Sequence, residues 1–312
     1  MTTFQPQHTG LYFGAEHIQQ ARRRKERPPV KEAWALVDSL SPQDVFSGLI
    51  LNGLRYRFTG DLNAGHVAAT GLQERDWPPD GTKQAASWDD LVATVILTHA
   101  FEMVRDHPAF NDMTRHDWLA RLAEVVAAWN ENALEGADYV ERLWLGLLNT
   151  VAGVVLEDEA AFQRGVETYR RAVREDITPD GYITQAVQGG GDTAFLRQLL
   201  AVKALVLMAE VGTLAGVDLW QYTVRGVSVT TAAVYLNYYY YFPDKWRWDA
   251  GKAPDVASLL RQHGGYLEIL NSRIHPKDIE TILYDLRPLF DVSGGGLTTL
   301  THSAVQRRGW FG

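Results

Sequence analysis

The chain has 312 residues, of which 46% are hydrophobic and 22% charged, and this balance excludes an intrinsically disordered or fibrous protein. Its formal net charge of -8 disfavours contact with nucleic-acid phosphates, so we expect no nucleic-acid partner. The sequence has no cysteine, which removes disulfides, thiolate nucleophiles and cysteine-ligated zinc.

Apolar residues recur at helical spacing along nearly the whole chain, and no segment alternates in the manner of a strand. Capping signals at Ser41-Pro42, Ser87 and Asp192 predict the starts of three helices. The predicted helices cover approximately residues 15–24, 30–40, 42–59, 66–74, 87–104, 116–129, 139–156, 158–174, 192–214, 226–241, 254–270 and 276–286.

The order of these helices favours antiparallel pairs joined by short turns. Such pairs form either a solenoid or a closed α/α toroid. Because no residue pattern repeats along the chain, we predict an all-α protein, an (α/α) toroid or incomplete barrel, with residues 1–312 in a single domain.

Several segments resemble the alginate lyase family of polysaccharide lyases. The clearest is AGVDLWQYTVRGVSVTTAAVYLNYYYYFPDKW, beginning at Ala215; LNGLRYRFTGD, DITPDGYITQ and YLEILNSRI are also similar to family segments. The matches occur in family order from about His8 to His302. The resemblance implies the toroid fold and cleavage of a uronate polymer by β-elimination.

That reaction needs a group to neutralise the uronate carboxylate, a base for the adjacent proton and an acid for the leaving oxygen. The family uses an Asn-Asn-His run before a Trp-bearing helix, with an Arg and a Tyr seven residues apart on a later helix. Matching the Trp to Trp144 places Glu141 at the His position, and Thr193 and Leu200 near the Arg and Tyr positions. No histidine lies between His116 and His263, so we predict that the family's catalytic residues are not retained.

Polar residues at these positions are the replacement candidates. We predict a catalytic set of Tyr139, Glu141, Arg142 and Arg197, with Tyr139 or Tyr182 as base, an arginine as carboxylate partner and Glu141 as orienter. In the alternative interpretation, Glu141 and Arg142 face solvent and Tyr139 packs at a helix start.

Predicted substrate contacts come from two further regions and one isolated histidine. Tyr182, Gln185 and Gln188 lie in a polar loop, and the aromatic run from Tyr238 to Asp249 supplies rings for stacking on sugars. At helical spacing Tyr238 fits a core position equally well, and His99 fits either the toroid centre or a core role. The predicted substrate-binding residues are Tyr182, Gln185, Gln188, Tyr238, Lys245, Trp246 and His99.

Motifs for other chemistry are missing from the sequence: it has no phosphate-binding glycine loop, no HExxH and no nucleophile elbow. We therefore predict no cofactor and no metal. The expected partner is an anionic carbohydrate or a small carboxylated substrate. The alternatives are a lyase, isomerase or cyclase acting on a small molecule, and a carbohydrate-binding relative without activity.

The sequence also bears on location. The longest apolar run, 199–208, contains Lys203 and is too short to span a bilayer, so no membrane partner is expected. The start, MTTFQPQHTGLYFG, lacks the pattern of a signal peptide, which makes a cytoplasmic location the default expectation. Members of the family it resembles are usually periplasmic or secreted.

Overall fold

A computed structural model describes residues 4–39, 42–75, 77, 87–132, 137–188 and 190–303. Within these ranges the protein has 16 α-helices and no β-strand, apart from three isolated bridges. The helices are α1 (Ala15–Arg23), α2 (Val30–Ser39), α3 (Val45–Thr59), α4 (Leu62–Gln73), α5 (Trp88–Val104), α6 (Asp112–Asn132), α7 (Tyr139–Leu156), α8 (Glu159–Arg171), α9 (Thr184–Val187), α10 (Ala194–Leu214), α11 (Val229–Tyr235), α12 (Asn237–Tyr241), α13 (Val256–His263), α14 (Tyr266–Ile274), α15 (Lys277–Leu286) and α16 (Thr298–His302).

Four helices, α3, α5, α7 and α10, form most of an inner layer. The last three are buried almost all round, whereas α6 and α8 bury one face and expose the other to solvent. Successive inner helices pack on one another, and an outer helix returns the chain between them. The inner helices therefore run in the same direction, and their N-terminal ends meet at one end of the ring.

The two ends of the chain close this ring. Helix α16 packs against α1, α2 and α14, while α1 and α2 also pack against α3, and α14 contacts α10. One continuous hydrophobic core runs through all of these elements. The prediction of an all-α toroid is therefore confirmed.

Side-chain caps mark the starts of α3, α5 and α7, and the predicted cap at Ser87 is confirmed, whereas the predictions at Ser41-Pro42 and Asp192 are wrong. Helix α3 is capped by Asp44, whose side chain accepts a hydrogen bond from the Ser47 amide at 2.9 Å, and Ser41 lies outside the described residues. Asp192 lies in a 3₁₀ turn that precedes α10 and makes no cap bond. Gly60 ends α3 in the left-handed conformation, with φ 79°, that glycine tolerates best.

Two predicted helices are divided in the structure. The segment 226–241 forms α11 and α12 with a break at Leu236, and 254–270 is interrupted at Gly264 and Gly265 between α13 and α14. Within the described ranges, α7 is the one helix with the length and hydropathy of a membrane span, and 83% of it is buried inside the protein.

Candidate active site

Most of the predicted catalytic residues lie together where α7 and α10 begin. We call Asp138, Tyr139, Arg142, Asp176, Gln185 and Arg197 the rim cluster. The Tyr139 hydroxyl donates to Asp176 Oδ2 at 3.0 Å, and Gln185 Nε2 donates to Asp176 Oδ1 at 2.9 Å. Arg142 Nη2 donates to Gln185 Oε1 at 3.2 Å. A continuous hydrogen-bonded network therefore joins α7 to the start of α9.

Glu141 lies beside this network and serves the helix start. Its carboxylate accepts a hydrogen bond from the Asp138 amide at 2.9 Å, while Asp138 Oδ1 accepts one from the Val140 amide at 2.7 Å. This reciprocal pair is a capping box, which satisfies amides that a helix start leaves unpaired.

Arg197 ties α10 to the same helix start. Its Nε donates to the Ala186 carbonyl at 3.0 Å, and its Nη1 donates to Asp138 Oδ2. Burial alone would raise the pKa of Asp138, but the hydrogen bonds from Arg197 and the Val140 amide lower it below its ordinary value. Asp138 is therefore an ionised partner of Arg197 at neutral pH.

Tyr139 is a poor candidate for a base. Burial, followed by the charge and hydrogen bond of Asp176, raises its pKa far above the ordinary value for tyrosine. The phenol therefore stays protonated at neutral pH, and its proton is already donated to Asp176. Burial also raises the pKa of Asp176 above its ordinary value.

An aromatic wall adjoins the rim cluster. The half-buried Tyr182 packs on Trp248 at 5.0 Å and on Tyr235 at 6.2 Å between ring centroids. Trp246 is buried against Phe195 at 5.0 Å, so its ring faces protein. Tyr182, Tyr235 and Trp248 are each partly exposed, so the wall offers aromatic rings to a ligand.

Three predicted contact residues lie at the surface. Gln188 is exposed, Tyr238 is 51% exposed and packs on Phe242 at 5.0 Å, and Lys245 pairs with Asp244 at 3.4 Å. None of them hydrogen-bonds to the rim cluster in the described part of the chain.

His99 occupies the hydrophobic core. Its ring is 1% exposed and packs on Tyr12 at 4.7 Å and Phe13 at 6.2 Å. Burial lowers the pKa of His99 to about 3, so the ring is neutral. This placement matches the core interpretation of His99.

A cavity of about 520 Å³ opens between the starts of α3 and α5, the end of α13 and the segment before α16. That volume is in the range of small-ligand pockets. One part of its wall is apolar and the other polar. The cavity is lined by Leu36, Ser39, Gln43, Asp44, Ser47, Leu51, Val92, Ile96, Gln262, His263, Phe290, Asp291, Val292 and Ser293.

A buried lysine lies directly behind this polar wall. Lys203 Nζ, with 0% side-chain exposure, donates to Asp291 Oδ1 and to Ser293 Oγ, both at 2.8 Å. The ammonium also lies 5.5 Å from the Trp144 ring centroid. We call Lys203, Asp291, Ser293 and His263 the cavity cluster.

The imidazole ring of His263 borders the cavity, and it can exchange a proton with a ligand there. Burial, together with the positive charge of Lys203, lowers its pKa below the ordinary 6.5. The imidazole is therefore neutral at neutral pH and has a free lone pair, as a general base requires.

One feature of the sequence indicates a buried ion pair in this cluster. Lys203 interrupts the apolar run 199–208, and a charge inside an apolar helix must find a buried partner. Nothing local shows that the partner is Asp291, because the two are far apart in sequence and meet only when the ring closes.

The alginate lyase family model matches residues 50–246, more than half of the chain. The chain belongs to the alginate lyase family. The predicted resemblance is thereby confirmed, and no curated protein sequence matches the chain. The replacement of the family's catalytic residues stays a prediction.

Solved alginate lyases share the fold of this family member. Alginate lyase A1-III from Sphingomonas species A1 superposes with a TM-score of 0.70 at 20% identity, over 88% of this chain and 78% of that one. A His-to-Ala variant of A1-III in complex with a tetrasaccharide gives 0.72 at 19%, over 86% and 76%. An alginate lyase from Bacteroides ovatus gives 0.70 at 15%, over 94% and 98%.

Proposed function

We propose that this alginate lyase family member cleaves a uronate-containing polysaccharide or oligosaccharide by β-elimination, with His263 as the base. The observation that carries this proposal is a neutral imidazole bordering a 520 Å³ cavity at the end of the ring where the inner helices begin. The family match and the tetrasaccharide complex of a structural neighbour support a carbohydrate substrate.

In the proposed reaction, His263 takes the proton from the carbon beside the uronate carboxylate. The electron pair forms a carbon–carbon double bond, and the bond to the glycosidic oxygen breaks. The leaving oxygen takes a proton from the Ser293 hydroxyl, which Lys203 Nζ contacts at 2.8 Å and can reprotonate. The ionised lysine thus lowers the cost of developing charge on the oxygen.

The substrate carboxylate needs partners that do not add negative charge. Asp44 and Asp291 border the cavity, and Lys203 balances one of them. We assign carboxylate binding to the side-chain amides of Gln43 and Gln262, which line the same cavity and donate hydrogen bonds without charge.

The rim cluster is assigned to binding of neighbouring sugar units. Arg142 is exposed, and its guanidinium presents more donors than its bonds to Ala137 and Gln185 use. Tyr182 offers a ring for stacking beside it. Tyr139, Glu141 and Arg197 hold this surface in place through their protein partners.

A second candidate function rests on the apolar wall formed by Leu36, Leu51, Val92, Ile96, Phe290 and Val292. A small carboxylated molecule with an apolar face fits this lining, and His263 would then serve a lyase, isomerase or cyclase reaction on it. Inactivity toward every uronate polymer, combined with saturable binding of such a molecule, would favour this reading.

The test is an ultraviolet absorbance assay for unsaturated uronate product on alginates, glucuronans and glycosaminoglycans. We expect activity in the wild type, a 10²- to 10⁴-fold loss in His263→Gln, and no loss in His116→Gln, which changes an exposed histidine. Silence of the folded wild type on the whole panel contradicts the lyase proposal. Full activity of His263→Gln contradicts the assignment of His263 as the base but is compatible with the lyase proposal.

A further inference from the structure

A third polar cluster lies at the opposite end of the ring. His17 on α1, Glu210 on α10 and His302 on α16 bring three potential ligand atoms within 4.8 Å of one another. Along α10, Glu210 is about 20 Å from Arg197 at 1.5 Å per residue. The same count places Glu210 about 10 Å from Lys203, and this cluster shares no residue with the rim and cavity clusters.

The orientation of His302 leaves one ring nitrogen without a partner. Its Nδ1 lies 2.7 Å from Thr301 Oγ1, which in turn donates to the Thr298 carbonyl at 3.4 Å. With the proton on Nδ1 and donated to Thr301 Oγ1, the Nε2 lone pair is free to bind an ion. Nε2 has no hydrogen-bond partner among the described residues, and it lies 3.7 Å from Glu210 Oε1.

In that tautomer, His302 Nε2 and Glu210 Oε1 are two electron-rich atoms that face each other in the interior, and one metal ion between them would bind both. His302 is 1% exposed and Glu210 is fully buried, so neither group is solvated at this point. A histidine nitrogen and a carboxylate oxygen at this separation are suited to bind one transition-metal ion after small side-chain movements.

His17 supplies the third ligand. It is partly exposed, and its ring lies 4.9 Å from that of His302. Its Nδ1 accepts a hydrogen bond from the Gly14 amide at 3.1 Å, and metal binding would exchange that bond for a metal–nitrogen bond.

Arg273 fixes the carboxylate. Its Nε donates to Glu210 Oε2 at 2.9 Å and its Nη2 to Oε1 at 2.5 Å, an orienting contact of the kind that ligating carboxylates receive. The guanidinium charge opposes a bound cation and limits affinity. The C-terminal end of α10, where Glu210 lies, favours a cation and acts in the other direction.

We infer that His17, Glu210 and His302 form a binding site for one divalent transition-metal ion, foremost Zn²⁺, with water completing a tetrahedral site. A two-histidine, one-carboxylate set is a zinc donor set, and nitrogen ligands select zinc over magnesium or calcium. The ion would clamp α1 and α16 to α10 and so close the ring where the two ends of the chain meet. The sequence-based expectation of no metal would then be replaced.

The test uses the full chain freed of metal with EDTA. Titration with ZnCl₂ in a calorimeter is expected to give one ion per chain and a rise in thermal midpoint, and Co²⁺ is expected to give the visible absorption of a tetrahedral site. His17→Ala and His302→Ala are expected to weaken Zn²⁺ binding by at least about 100-fold, since each removes a direct ligand, while His116→Ala keeps it.

Two results would overturn the inference: no Zn²⁺ binding by the wild type at micromolar concentration, or wild-type binding in His17→Ala. His17 is the informative position, because it is partly exposed and its replacement leaves the core intact, whereas replacement of the buried His302 can impair folding. Circular dichroism of each variant separates loss of the fold from loss of the ion.

Discussion

The rim cluster and the cavity cluster lie at the same end of the ring, and each pairs a cation on α10 with a carboxylate, but their surroundings differ. The side chains of Arg197 and Asp138 are 23% and 35% exposed, whereas those of Lys203 and Asp291 are 0% and 2% exposed. Partly solvated pairs contribute little to stability, whereas a buried charge that loses its partner is costly. Removal of one partner is therefore expected to cost little stability at the rim and much more at the cavity.

The clusters also differ in how many of their groups remain available to a ligand. In the rim cluster, Tyr139 and Arg197 are engaged by protein partners, and Glu141 beside it completes the cap of α7. In the cavity cluster, His263 borders open space and is neutral. This difference is the reason for placing the base in the cavity and sugar binding at the rim.

The largest effect is expected from Lys203→Met. It leaves the buried Asp291 carboxyl group without its partner, and we expect a loss of about 3–5 kcal/mol in the free energy of unfolding. Arg197→Met at the rim is expected to cost about 1 kcal/mol or less, since its partner keeps contact with water. Urea denaturation measures both values.

A matched double variant sharpens this result. Lys203→Met with Asp291→Asn removes the buried charge, and it is expected to recover part of the stability lost by Lys203→Met alone. Equal losses for Lys203→Met and Arg197→Met would show that the two pairs are equivalent, against the contrast drawn between them.

The next effect is on the pH dependence of turnover. His263 must be neutral to act as a base, and its pKa is lowered below 6.5. We therefore expect kcat/KM to be constant at neutral pH and to fall as pH decreases through that lowered pKa, about tenfold per pH unit below it. The profile of kcat/KM between pH 4 and 8 measures this, with stability at each pH as the control.

A tyrosine as the base would shift this ascending limb to alkaline pH, so that kcat/KM would still rise above neutral pH. Such a profile would identify Tyr139, whose pKa is raised above the ordinary value for tyrosine, as the base.

The smallest effect is expected from Tyr139→Phe. It removes one hydrogen bond to Asp176, which keeps its bond from Gln185, and we expect a cost of about 1 kcal/mol in unfolding free energy. Turnover is expected to stay within a few-fold of the wild type. A loss of turnover above about 100-fold, with the fold intact, would place proton transfer in the rim cluster.

Part of the candidate site could be predicted from the sequence. The resemblance predicts Tyr139 and Arg142, and the polar loop predicts Gln185. Hydrogen bonds join the three residues because the helix starts meet at one end of the ring. The roles of Glu141 and Arg197 could not be predicted from the sequence. They depend on whether the side chain bonds to the start of its own helix, as Glu141 does, or to a neighbouring helix, as Arg197 does. Trp246 and His99 were predicted as contacts, but aromatic residues serve the core equally well, and both are buried.

The sequence by itself determined most of the helices, because apolar periodicity and caps act within a few residues of chain, and the resemblance of its segments indicated the toroid and the family. Only the tertiary structure decided which polar residues meet. Lys203 pairs with Asp291, and His17 lies close to Glu210 and His302, because the two ends of the chain pack against the inner helices. The physical reason is that every buried polar group needs a partner, and this need can be seen in the sequence. The identity of the partner depends on how segments that are far apart in sequence pack when the ring closes.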